Sequence, residues 1–170
     1  MIFRRRGDGE ETPPEPLGVL LLPSALEEFE LRDHARDLLA IPRVIALEPP
    51  RVRIPGFLRD SAGVRTATRL RFPGQPRLLV LYDPAQYPLA RALGARYGDA
   101  ELWYIRRTGE PGQGGDEDRV QSDALARERA AHTVEVTRGQ EVAAAPLRAR
   151  LRELGVIDPH AFLPGTRRRP

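Results

Sequence analysis

The sequence predicts an α/β fold, a Rossmann-like and mostly parallel sheet with helices on both faces. Short runs at 17–22, 44–47, 78–82 and 101–105 are apolar almost throughout, as strands buried on both faces must be. Between them lie segments whose apolar residues recur at helical spacing. Strands that alternate with helices imply crossover connections, and hence parallel pairing with a helical layer on each side of the sheet.

The elements follow in order. Residues 1–16, with Gly7-Asp8-Gly9 and Pro13-Pro14-Glu15-Pro16, offer nothing to bury and read as a disordered tail. Leu17 to Leu22 is the first strand. Ser24 with Glu27 three residues on is a capping box, which satisfies orphan amides at a helix start. That helix carries the stripe Leu31, Ala35, Leu38 and Leu39, which Leu26 and Phe29 do not join, and Pro42 forbids its continuation. Val44 to Leu47 is the second strand, closed by Glu48-Pro49-Pro50. The stretch 51–60 has no clear period; Ser61 then reads as the cap of a helix that ends before the turn Pro73-Gly74-Gln75-Pro76.

Leu78 to Tyr82 is the third strand. Leu89, Leu93 and Tyr97 mark a helix that Gly98 would close in the left-handed conformation. Glu101 to Ile105 is the fourth strand, and 106–118 reads as a loop of glycines and acids. Ser122-Asp123 would cap a short helix to about residue 131, followed by a strand from Thr133 to Val136. Pro146 opens a last helix with the stripe Leu147, Leu151 and Leu154, and Gly155 ends it. The expected organisation is one domain over 17–157, with a C-terminal tail over 158–170.

Composition narrows the function classes. A chain of 170 residues with 41% hydrophobic content can bury a core, and with no cysteine it has no disulfide framework, thiol nucleophile or thiolate zinc site. No apolar run reaches the length of a transmembrane segment, and no signal-peptide core follows Met1-Ile2-Phe3. The expected compartment is cytoplasmic. The net charge of +3 comes from arginine alone, with the excess in Arg4-Arg5-Arg6 and Arg167-Arg168-Arg169. A nucleic-acid partner is not expected, because the interior arginines alternate with acids and only 6% of residues are aromatic.

In parallel sheets ligands gather outside the carboxyl ends of the strands. Here those ends present Ser24, Glu48, Asp83, Gln86, Tyr87, Arg106 and Arg107 as candidate substrate-binding residues. Pro88 would clash with the carbonyl of Pro84 in a continuous helix, so the helix is expected to start at Pro88. Asp83, Gln86 and Tyr87 then lie on a short stiff loop, either binding a ligand or forming a capped helix entrance with a buried tyrosine. Arg106 and Arg107 have the forked donors that hold a carboxylate or phosphate, and the alternative for them is a solvated loop. Glu48 could act as a base or accept from a hydroxyl, or simply be exposed.

Other candidates fail on context. Gly109, Gly112, Gly114 and Gly115 lack the spacing and following helix of a phosphate loop. His34, His132 and His160 lack metal-ligand spacing, so no metal is expected. The three serines lack a nucleophile elbow. No catalytic residue is assigned and no cofactor is called for.

Two further stretches and a terminal motif carry a resemblance. Leu78-Leu79-Val80-Leu81-Tyr82-Asp83-Pro84-Ala85-Gln86-Tyr87-Pro88-Leu89-Ala90, followed by Glu101-Leu102-Trp103-Tyr104, resembles the middle of the N-terminal domain of GT-B-fold glycosyltransferases of the retaining, glycogen-synthase-like type. Val120-Gln121-Ser122-Asp123-Ala124-Leu125 is similar to a strand-to-helix segment late in that domain. Gly155-Val156-Ile157-Asp158-Pro159-His160-Ala161-Phe162-Leu163-Pro164-Gly165 is similar to its interdomain motif with one residue inserted. The sequence departs from the family in having no Gly-rich loop after the first strand and a short polar loop where a helix is common. The nucleotide-sugar pocket of that family belongs to a further domain, which this sequence does not contain. The resemblance implies an acceptor-side domain, degenerate, standalone or cut from a longer protein. It would bind a sugar or phosphorylated acceptor and need a partner domain or chain for the nucleotide-sugar site. The alternative is a non-catalytic Rossmann-like module that uses its strand-end loops for a protein partner.

Overall fold

The computed structural model describes residues 14–22, 29–48, 55–98, 100–107, 117–137 and 142–158. Five strands, β1 (Pro16–Leu21), β2 (Val44–Leu47), β3 (Gln75–Leu81), β4 (Glu101–Arg107) and β5 (His132–Val136), form one sheet in the order β2-β1-β3-β4-β5. Every adjacent pair is parallel. The fold is α/β and Rossmann-like, as the apolar strands predict.

The helices are α1 (Phe29–Leu39), α2 (Gly56–Arg69), α3 (Tyr87–Arg96), α4 (Glu117–Arg129) and α5 (Ala145–Glu153). The step from β1 to β2 runs toward one edge of the sheet, and the later steps run toward the other. Right-handed crossovers in opposite directions must use opposite faces. Accordingly Leu31, Ala35 and Leu38 of α1 join Leu147 and Leu151 of α5 over Leu20, Leu78, Val80, Trp103 and Ile105. Ala67 of α2, Ala90 and Leu93 of α3 and Ala126 of α4 cover Val19, Leu21, Leu79, Leu81 and Tyr104 on the other face. Successive residues of the central strands β1 and β3 thus alternate between two cores, so a polar group at a buried position there needs a partner.

Several boundaries differ from the sequence expectation. Ser61 lies inside α2, where its hydroxyl donates to the Leu58 carbonyl at 3.0 Å, so Pro55 rather than Ser61 precedes that helix. Gln75 and Pro76 belong to β3 instead of the turn before it. The Gln75 amide donates to the Glu15 carbonyl at 2.8 Å, which ties the start of β3 to the residue before β1. Leu39 is exposed, so the α1 stripe ends at Leu38. Gly98 does not have a positive φ; α3 instead ends at Arg96 and is capped by Tyr97, whose amide donates to the Leu93 carbonyl. Ser122 and Asp123 lie within α4, which starts at Glu117. The Ser24–Glu27 capping box falls outside the described residues.

The C-terminal helix follows expectation. Gly155, at φ 73°, takes the left-handed position, its amide donates to Arg152 and the Val156 amide donates to Leu151. Val156 and Ile157 then turn back into the core. On the opposite face, Gly63 lets α2 lie against the start of α3, since a Cβ there would meet the Pro88 carbonyl at 2.8 Å.

Candidate functional site

Chain winding reverses between β1 and β3, because α1 leaves β1 on one face and α2 delivers β3 from the other. In doubly wound sheets the crevice outside such a reversal is where ligands bind. Gln86 occupies it. Its side chain donates from Nε2 to the carbonyl of Leu22, just past β1. Its Oε1 is buried and has no hydrogen-bond partner among the described residues.

Asp83 caps the turn that follows β3. Its Oδ1 accepts from the Ala85 amide at 2.9 Å, and the Arg119 guanidinium of α4 lies 3.7 Å away. A single 3-10 turn, Pro84–Gln86, separates Asp83 from α3. α3 therefore starts at Tyr87, one residue before the expected Pro88, and Tyr87 belongs to the helix rather than to the loop; the change of helix type still falls before Pro88, which sits in the first turn of α3. Tyr87 packs into the core beneath α3. Asp83 and Gln86 are only 3% and 4% exposed.

Arg106 lies one strand away and forms a separate cluster. Residues 104 and 106 share the face of β4 covered by α4, and Arg106 pairs in register with Glu135 of β5. Its Nη1 donates to Glu135 Oε1 at 2.9 Å and its Nη2 to Asp123 Oδ2 at 3.3 Å. The Tyr104 hydroxyl donates to Asp123 Oδ1 at 2.7 Å. Burial, reinforced by the Asp123 carboxylate, pushes the Tyr104 phenol well above its ordinary range. It therefore stays protonated and works as a donor. The Arg106 fork is already bridged to two carboxylates, so a phosphate would have to displace one of them.

The remaining expected residues scatter. Glu48 is exposed beyond β2, the edge strand. Arg107 is the last residue of β4; its side chain lies outside the description, as does Ser24. The structure brings Asp83 and Gln86 together at the reversal, sets Arg106 apart under α4 and leaves Glu48 alone.

Sequence reading missed Arg119 and Asp123. The signal was present, since the two stand four apart on α4 and so share a helical side, but the helix was expected to start after Arg119. It also missed the pair formed by His34 and Tyr82. His34 Nδ1 stands 2.9 Å from the Tyr82 hydroxyl, within the core under α1. Burial lowers the imidazole from 6.5 to about 4, with Asp37 opposing and Arg148 adding to the shift. Burial also raises the Tyr82 phenol well above its usual range.

At the amino end of β4, Glu101 accepts from Trp103 Nε1 at 2.6 Å and from Arg150 Nη2 at 2.6 Å, which fixes α5 to the sheet. Burial alone would raise the Glu101 carboxyl, but the donors from Arg150 and Trp103 outweigh it and hold the group below its ordinary value. No group of three potential metal ligands occurs among the described residues, and no helix among them is long and apolar enough to cross a membrane. Comparison with protein-family models, curated proteins and solved structures finds no match.

Proposed function

We propose that this chain is a Rossmann-like module that acts by binding a protein partner and performs no chemistry of its own. One observation supports this reading: Asp83, Arg106 and Tyr104, at or near the carboxyl edge, have their polar groups engaged within the fold. Asp83 holds a turn, Arg106 bridges Asp123 and Glu135, and Tyr104 is held protonated against Asp123. A general acid or base needs a proton that moves near neutrality, and a phosphate site needs an available fork.

A second reading is favoured by Gln86. Its buried Oε1 at the winding reversal is an acceptor without a donor among the described residues, and a sugar hydroxyl would satisfy it. In that reading the chain is the acceptor-side domain of a GT-B-like glycosyltransferase, as the resemblance implies. It would bind a sugar or phosphorylated acceptor and depend on another domain or chain for the nucleotide sugar.

Thermal-shift titration of the purified chain with sugars, nucleotides and sugar nucleotides separates the two. The first reading expects no shift with any of them. The second expects a shift with a sugar or sugar phosphate that Gln86→Leu removes. Turnover of a nucleotide sugar by the chain alone, lost on mutating a residue within it, would defeat both.

A further inference from the structure

Positive charge gathers on one side of the molecule. Residues 55–98 carry seven arginines against Asp60 and Asp83, whereas the other described segments together carry more acids than arginines. Asp83 is buried at the carboxyl edge, and Asp60 pairs with Arg91 at 3.1 Å. From residue 61 to residue 82 the sequence has no acid, so the alternation of arginines with acids lapses over α2 and β3. We propose that the outer face of α2 docks an acidic polypeptide segment with aliphatic anchors. This rests on the reading of the chain as a module that binds a protein partner, and it names the surface and the chemistry of that partner.

Helical spacing assembles the face. Leu58, Arg65 and Arg69 stand at i, i+7 and i+11 on one side of α2, and all three are exposed. Gly63 and Ala67 are buried on the opposite side. Val64 flanks the stripe. Leu58 and Val64, 39% and 51% exposed, are two of the four large hydrophobic residues left so open among the described residues.

Two more guanidiniums are fixed at the carboxyl end of the helix. Arg71 Nη1 donates to the Thr68 carbonyl at 2.7 Å, and Arg96, at the end of α3, reaches across to the Ala67 and Leu70 carbonyls. Those carbonyls are the negative end of the α2 dipole, which favours cations there. A guanidinium has five N–H donors, so each of these arginines keeps some for a carboxylate.

The mixture of groups selects the partner. Like charge opposes a second copy that presents the same face. A nucleic-acid strand would be met by rings on which bases stack. Phe72 and Tyr97, which follow α2 and α3, instead pack edge to face on each other at 5.7 Å, with Arg96 over the Tyr97 ring. A lipid surface would call for an apolar face along the whole helix, which Ser61, Thr68 and the arginines interrupt. Exposed aliphatic side chains among arginines match a protein contact, in which apolar groups exclude water and arginine meets carboxylates.

The probe is a fluorescein-labelled peptide of repeated Glu-Leu-Leu-Glu units, titrated with the whole chain at low salt and followed by anisotropy. Its counterpart with glutamine for glutamate, a labelled oligothymidine and phosphatidylserine vesicles are compared with it. The proposal expects saturable binding of the acidic peptide that weakens as salt is added, and weaker binding of the other three. Arg65→Gln with Arg69→Gln should reduce affinity by roughly fivefold to tenfold, and Leu58→Ser by roughly threefold. Arg127→Gln with Arg129→Gln removes the same net charge from the exposed side of α4 and should change affinity by less than about twofold. No saturable binding of the acidic peptide, or a loss in the α2 pair no larger than in the α4 pair, would overturn the proposal and leave the protein-partner reading standing. Tighter binding of the oligothymidine or the vesicles would contradict both. Should the α2 variants fail to fold, the unmodified chain decides: the acidic peptide must shift the amide resonances of residues 58–69, and shifts confined to other elements reject the face.

Discussion

Gln86 and Leu22 are joined by a hydrogen bond across the place where the winding of the sheet reverses. The bond ties the turn after β3 to the end of β1, so one side chain closes the crevice between the central strands. Gln86→Leu removes the donor and should destabilise the chain by about 1–3 kcal/mol. Gln86→Glu keeps the shape but sets an acceptor against the carbonyl, and it should cost at least as much. Urea unfolding checks this, with the midpoint expected to fall at an unchanged slope.

Tyr104, Asp123 and Arg106 act as a unit. Asp123→Ala strands the Tyr104 hydroxyl and one side of the Arg106 fork, both in partly buried surroundings. The loss should be roughly 1.5–3 kcal/mol, larger than that of Tyr104→Phe, which removes a single neutral donor. In a double-mutant cycle the two changes should be non-additive by more than ~0.5 kcal/mol. Simple additivity would show that the hydroxyl and carboxylate do not communicate.

The pH dependence follows from His34. Its imidazole takes up a proton only below about 4 in the fold, against an ordinary value of 6.5. Between those values the unfolded chain binds more protons than the folded one, so stability must fall as the pH drops through that window. Burial is the main cause, with Asp37 opposing it and Arg148 reinforcing it. The full loss should approach roughly 3 kcal/mol below the window. Equilibrium unfolding of His34→Leu beside the unmodified chain should show this part of the slope removed. Parallel profiles for the two proteins would contradict the assignment.

Gly63 tests the packing of α2 on α3. Alanine would favour the helix by about 1 kcal/mol on propensity alone. Its Cβ would stand 2.8 Å from backbone atoms of Pro88, so one helix must move. We expect net destabilisation of roughly 1–3 kcal/mol by thermal or urea unfolding.

The layered architecture was legible because both faces of the sheet are covered, which leaves Leu78 to Leu81 apolar without alternation. The α5 helix was equally plain, with Pro146 and Gly155 at its ends and Leu147 and Leu151 in its stripe. Boundaries were less so. Ser61 and the Ser122-Asp123 pair are good caps by residue type, yet both stand inside helices, where packing of Ala67 and Ala126 overrides local preference. The site was legible only in part. The proline spacing located the Asp83 turn, but the destinations of the side chains depend on α4 lying over β4. Nothing in the local sequence links Arg106 to Asp123, seventeen residues on. His34 and Tyr82 meet across 48 residues, and that contact comes only from the stacking of α1 on the sheet.

The central claim is that the polar groups of the carboxyl edge hold the fold together. Asp83 is the residue where this is most exposed to test, because it occupies the position a ligand-binding carboxylate would take. Residues retained for binding or catalysis are often neutral or unfavourable for stability, and replacing them leaves stability unchanged or raises it. A structural cap behaves in the opposite way. The measurement is the unfolding free energy of Asp83→Ala relative to the unmodified chain. Loss of the bond to the Ala85 amide and of the Arg119 partner predicts a decrease of about 1 kcal/mol or more. An unchanged or increased stability would contradict the account and return Asp83 to the role of a ligand-binding residue.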